Sequence, residues 1–213
     1  MRRLFKAVAG ALIMGAGSGA VAPAQAAPLD FSFTTVSGET GTFTLETDTP
    51  ASGQPSVGSG IPGFPGIIYP NAVSNFFFSS PSSPEFNASG EIADWEVIPS
   101  VIPGNIGELS GVVYPSGCAT GTTFTCLINV GVLYTGDVPE LSDDPNSYST
   151  GLGIDLFDPV TRQSLGIRPF SEYRVVPRQS VPEPDSGLSV LAVAIASASL
   201  LLKRKMNKTV QPS

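Results

Sequence analysis

Histidine is absent from this chain. That removes the commonest general base and the commonest zinc ligand together. Lysine and arginine are missing from the whole stretch between Ala27 and Thr161. The only bases that follow, before Lys203, are Arg162, Arg168, Arg174 and Arg178. A segment without lysine forms no Schiff base and no Ser-Lys dyad. Acids, by contrast, run from Asp30 to Asp185. The formal net charge of −7 understates the acidity of the middle of the chain, because most bases sit at its two ends. Such a surface repels polyanions and excludes nucleic acid as a partner, while attracting divalent cations weakly. Cysteine occurs only twice, in SGCATGTTFTCLINV. The CxxC spacing of a redox pair is missing, and two cysteines alone make a poor metal site. Cys118 and Cys126 therefore predict one disulfide across a short turn, in which loop closure contributes about 2.5 kcal/mol in the chain-entropy model. No G-x-S-x-G element, phosphate-binding loop or zinc pattern is present.

What is present begins with a leader. Arg2, Arg3 and Lys6 precede an apolar, small-residue stretch that ends in Ala24-Gln25-Ala26. A basic start, an apolar middle and an A-x-A site make a secretory signal peptide over residues 1–26, with an uncleaved membrane helix as the alternative. GAGSGA falls inside this leader with no strand before it, so it carries no nucleotide-binding meaning.

The exported domain, residues 27–176, reads as all-β. In LDFSFTTVSGETGTFTLETD, Phe31, Phe33 and Thr35 alternate with Asp30, Ser32 and Thr34. After a turn over Ser37–Gly41, Phe43, Leu45 and Thr47 alternate with Thr42, Thr44 and Glu46. Period two with aromatic and β-branched residues predicts an antiparallel hairpin with one apolar face. Pro50–Pro70 is dense in glycine and proline and reads as a long loop with a short extended piece at Ile67–Tyr69. Further strands are predicted at 72–78, 91–98, 107–114, 123–134, 151–157 and around 173–176, with a bulge at Gly131. No segment has a sustained helical period. Many short strands between Gly/Pro turns predict an antiparallel β-sandwich or a partly closed barrel. A Pro-rich spacer follows over residues 177–186.

Three local patterns carry candidate chemistry. Asp94-Trp95-Glu96 places two carboxylates on one strand face and the only tryptophan on the other. A glycosidase uses such a pair when the two acids converge. The plainer reading is a solvated acidic face with Trp95 in the core, and a third is Trp95 exposed as a sugar-stacking platform. ELSDDPNSYSTG offers Glu140, Asp143, Asp144 and Asn146 as hard oxygen ligands, but not at EF-hand spacing, so an acidic solvated loop is expected rather than a calcium site. Asn87-Ala88-Ser89 matches a glycosylation tripeptide that also arises often by chance. These readings assign no catalytic residue, no metal and no cofactor.

The C-terminal stretch VPEPDSGLSVLAVAIASASLLLKRK is the most specific motif. As a helix, its apolar run from Ser186 to Leu202 spans about 25 Å, short of a ~30 Å hydrocarbon core but able to cross it with snorkelling lysines. Lys203, Arg204 and Lys205 stop the run and set a single-pass orientation, with the domain outside and residues 203–213 inside. A Pro-Glu-Pro element, one apolar helix and a basic stop, in that order, resemble the PEP-CTERM sorting signal of bacterial exported proteins. FSFTTVSGETGTFTLETDTP and YPNAVSNFFFSS are similar to domains preceding this signal in cyanobacterial members. The resemblance implies an exosortase-like membrane protease as partner, with Pro182, Glu183 and Pro184 as recognition residues. Residues 187–202 would be the inserted segment and Lys203, Arg204 and Lys205 the membrane stop. It implies passage through the inner membrane and delivery to the cell envelope, the surface or an extracellular polysaccharide matrix. The expected product is a non-enzymatic exported protein. Its runner-up is a carbohydrate-binding or adhesive domain with exposed aromatics beside Asp or Asn, and a carboxylate-dependent hydrolase stands third.

Overall fold

A computed structural model describes residues 26–57, 65–99 and 107–178 of the chain. The predicted leader up to Gln25, the Pro-Glu-Pro element, the apolar run and the basic stop lie outside the described residues. Eight strands are described: β1 Leu29–Thr35, β2 Thr40–Leu45, β3 Ile67–Ser79, β4 Ala88–Ile98, β5 Glu108–Tyr114, β6 Ile128–Tyr134, β7 Thr150–Phe157 and β8 Ser164–Pro177. Two short 3-10 turns, Pro84–Phe86 and Pro145–Tyr148, are the helical elements among the described residues. Each strand pairs antiparallel with the next, and β8 returns to β1, which closes an eight-stranded barrel.

The all-β antiparallel class is as expected, and of the two architectures expected from sequence, a sandwich or a partly closed barrel, the barrel is found and its closure is complete. The physical means of closure are bulges. The β1–β8, β2–β3, β3–β4, β6–β7 and β7–β8 pairs each carry at least one register shift. Every such extra residue bends and coils the sheet until its edges meet. The bulge expected at Gly131 of β6 lies instead across the ladder: Gly131 pairs with Gly153 and Val132 with Gly151, which makes Leu152 of β7 the extra residue. The strand bounds differ from expectation in instructive places. β3 begins at Ile67, so the extended piece assigned to the loop is the first part of one 13-residue strand. Pro70 sits inside β3, and Asn71 and Asn75 adopt left-handed φ of 56° and 53° there, so the strand bends around its proline. Residues 123–127 are loop rather than strand, because β6 starts only at Ile128. β8 spans 14 residues and takes in Pro177, which was assigned to the spacer.

The expected alternation holds along β1, while in β2 Thr44 departs from it and is buried. Leu29, Phe31, Phe33 and Thr35 are buried, and Asp30, Ser32 and Thr34 are half-buried. The interior is filled by rings. Phe31 stacks on Phe43 with centroids 4.5 Å apart, and Trp95 lies 5.8 Å from Phe31. Tyr148 meets Trp95 edge-on at 5.7 Å and Tyr134 at 5.1 Å. So many large rings fit because glycines face them. A Cβ on Gly41 would lie 2.3 Å from Phe33 Cζ, and one on Gly151 2.5 Å from Tyr173 Cγ. The rings of Phe33 and Tyr173 cover these two glycines and restore the contact that the missing side chains forgo.

Both barrel ends are capped from within. At one, the Glu39 side chain of the β1–β2 turn is wholly buried, accepts from Thr35 Oγ1, and stands 3.4 Å from Arg168 Nε. At the other, the β6–β7 loop folds over the opening. Tyr148 Oη donates to the Ser142 carbonyl at 2.9 Å, and Tyr134 Oη donates to the Glu140 carbonyl at 2.8 Å. This second end is also where the described ladder starts and finishes: Leu29 pairs with Pro177, and Arg178 N donates to the Pro28 carbonyl at 2.8 Å.

Alkali tests this packing. Burial pushes the Tyr69 phenol up from 10.0 to about 12, with a smaller push from Tyr134. Burial likewise raises Tyr134, Tyr148 and Tyr173. A phenol whose pKa is raised by folding lends its full stability below the unfolded value near 10 and loses it as pH climbs through the folded value. Unfolding free energy should thus hold steady up to about pH 10 and fall between about 10 and 12. Tyrosinate absorbance at equilibrium should rise together with the loss of tertiary structure. Tyrosines that ionise near pH 10 in a still-folded chain would contradict the buried assignment.

Candidate functional site

Asp94 and Glu96 point outward from β4, on the opposite side from Trp95, which is wholly buried in the barrel. That burial removes Trp95 as an exposed sugar platform and places it in the core. The two acids are not the solvated face that alternation suggests either. Each is only 1 % exposed. They are covered because loops fold back over the outer wall. Asp94 Oδ1 accepts from Asn71 N at 2.9 Å and Ser116 Oγ at 2.6 Å, and its Oδ2 accepts from Gly117 N at 2.7 Å. One carboxylate therefore ties the β3 bulge to the start of the β5–β6 loop. Glu96 accepts from Ser56 Oγ, which in turn accepts from Gly66 N at 3.0 Å, so it anchors the β2–β3 loop. Each of the two acids is engaged with its own loop and its own donors.

Under the same loops lies a small second core of Ile68, Val113, Cys118, Ala119 and Cys126, with Phe124 packed against it. Cys118 and Cys126 form the expected disulfide, their Cα atoms 4.8 Å apart. Val57 N donates to the Ala119 carbonyl at 2.9 Å and joins the two loops to each other.

The acidic loop packs over the barrel mouth. Asp144 caps the Pro145–Tyr148 turn, its Oδ1 accepting from Asn146 N at 2.9 Å. Leu141 and Tyr148 of the loop are buried at the barrel mouth. Among the described residues no group of three or more His, Cys, Asp or Glu side chains converges as a metal site. Asn87 Oδ1 accepts from Ser80 N at 2.8 Å and shapes the β3–β4 turn. Pro182, Glu183, Pro184, Lys203, Arg204 and Lys205 lie outside the described residues.

What sequence reading did not single out is the wall made by β8, β1, β2 and β3. The register aligns Arg174, Ser32, Thr42 and Phe77 in one row across those four strands. The next row is Glu172, Thr34, Thr40 and Ser79, and the row on the other side is Val176, Asp30, Thr44 and Ser74. Two adjoining depressions share Ser32, Thr42 and Arg174 and form one shallow trough, the larger part of about 540 Å³. Phe77, 41 % exposed, lies at one end of the middle row, with Asn75 alongside. The polar half of the β1 and β2 alternation marked the floor of this trough. Nothing local in the sequence put Phe77 or Arg174 beside it.

No protein-family model matches the chain, and no curated protein or solved structure matches it.

The clamp role of Asp94 has a measurable consequence. Asp94→Ala leaves the backbone N–H groups of Asn71 and Gly117 without their acceptor and should cost about 2–4 kcal/mol of stability. Asp143→Ala, at an exposed loop carboxylate, should stay within about 0.5 kcal/mol. Denaturant unfolding of the two variants checks this, and equal losses would remove the clamp assignment.

Proposed function

We propose that this chain is an exported, non-enzymatic β-barrel protein that an exosortase-like membrane protease sorts to the envelope, the surface or a polysaccharide matrix. The observation that carries this reading is the order of elements after the barrel. β8 ends at Pro177, and Pro182-Glu183-Pro184, the apolar run and Lys203-Arg204-Lys205 follow in the sequence. A permanent anchor needs only the apolar run and its basic stop. The Pro-Glu-Pro element is superfluous to anchoring and is what a processing enzyme would read.

The barrel supports this division of labour. Its ladder closes through β1 and β8 within the described residues, so removal of the tail takes no strand from it. β8 leaves the barrel beside the start of β1, which puts the tail and the N-terminal end of the domain at one pole. The Cys118–Cys126 bond suits an oxidising exterior. Asp94 and Glu96 work as loop clamps, which weakens the hydrolase alternative at that pair.

Intact-mass analysis of the exported protein tests the reading. The expected mass begins at Ala27 and ends between Pro182 and Asp185. A mass that retains Leu202 and Lys205 leaves a plain membrane anchor and overturns sorting. Glu183→Ala should block processing without changing the melting temperature, because Glu183 lies beyond the closed ladder.

A further inference from the structure

The geometry points to the trough on the β8–β1–β2–β3 wall as a binding site for an extended, neutral, β-linked hexose polymer. Three features of the trough select that ligand class.

The first is the state of its hydroxyls. In the lower row Thr44 Oγ1 donates to Asp30 Oδ1 at 2.7 Å, and Arg178 Nη1 reaches Thr44 Oγ1 at 3.4 Å, so these groups are already engaged. In the middle and upper rows Ser32, Thr34, Thr40 and Thr42 have no side-chain hydrogen bond to any described residue, and the exposed Arg174 guanidinium has none either. Each hydroxyl both donates and accepts, and the guanidinium is a rigid fork of donors. Such a set complements the ring hydroxyls of a sugar.

The second is Phe77. Alternation along β3 turns Phe76 and Phe78 into the core, both wholly buried, and Phe77 outward between them. Its ring terminates the row opposite Arg174. An aromatic face covers the C–H face of a pyranose, and the flanking polar groups then fix the orientation of the sugar.

The third is shape and charge. Arg174 and Phe77 are separated by three inter-strand spacings, about 14 Å, which suits about three sugar rings in an extended ribbon. A site on an outer barrel wall, open along its length, does not enclose a small metabolite as a closed pocket does. Between residues 26 and 178 the chain carries sixteen carboxylates against four arginines. A polymer of uronates or phosphates would meet net repulsion, whereas a neutral one does not.

Calorimetric titration of the full chain in a zwitterionic, sugar-free detergent tests the inference, with cellohexaose and mannohexaose as neutral probes and an alginate hexamer as the anionic one. At least one neutral probe should bind, with little dependence on salt. Phe77→Ala and Arg174→Ala should each weaken it about tenfold or more. Ile167→Ser, at an exposed β8 residue that pairs with β7, should leave binding unchanged. Absence of binding to both neutral probes, tighter binding of alginate, or affinities unmoved by Phe77→Ala and Arg174→Ala would each overturn the site. All the changed residues are outside the core, so melting temperatures of the variants should match the parent and separate lost binding from lost fold. This result is independent of tail processing, which the intact mass decides separately.

Discussion

β1 hydrogen-bonds on both sides, to β2 through Leu29–Leu45 and to β8 through Leu29–Pro177, and the rest of the domain depends on the second of these ladders. Without it β1 and β8 would be two open edges, each a row of unpaired N–H and C=O groups. With it, Phe31 looks into a closed space where Phe43, Trp95, Tyr148 and Tyr173 surround it, and Phe33 packs against Phe78 and Phe170. The two strands joined are the first and the last among the described residues, so closure also brings Leu29 and Pro177 to one pole. A tail attached there can be kept or removed without disturbing the ladder that makes the barrel.

Closing a barrel with large rings inside creates a packing problem that is solved locally. Gly41 and Gly151 leave room where Phe33, Phe170 and Tyr173 need it. Bulges in β3 turn the strand twice, at Asn71 and Asn75, and keep Val73, Phe76 and Phe78 on the inner side. The ends are closed by two different chemistries. A buried carboxylate paired with arginine fills one mouth, and a tyrosine-bearing lid fills the other. An ion pair buried this way needs further hydrogen bonds to offset its desolvation, and Thr35 supplies one to Glu39.

The outer wall is used in two ways. Over β3, β4 and β5 it is overlaid by loops, which the disulfide, Asp94 and Glu96 fasten down. Over β8, β1, β2 and β3 no described loop covers it, and it is hydroxyl-lined and bordered by Phe77 and Arg174. The covered side explains how carboxylates that look catalytic in sequence act as fasteners. The uncovered side carries hydroxyls, one aromatic ring and one guanidinium in register across four strands.

Much of this was legible in residue order. Period two in Leu29–Leu45 identified the first hairpin and its apolar face, because side chains alternate strictly along a strand. The Cys118–Cys126 pair was expected from the count and context of the cysteines, and Trp95 in the core was the plainer of the readings its alternation left open. The absence of histidine and the one-sided charge bounded the chemistry, because composition does not depend on fold. Tertiary structure alone decided the rest. Whether the sheet closed depended on accumulated bulges and on pairing between Leu29 and Pro177, which no local pattern encodes. Whether Asp94 and Glu96 met solvent depended on loops more than twenty residues away in sequence. Whether Phe77 and Arg174 shared a row depended on the register of three ladders. Each of these is a long-range contact, and a linear pattern reports only on residues that are near one another in the chain.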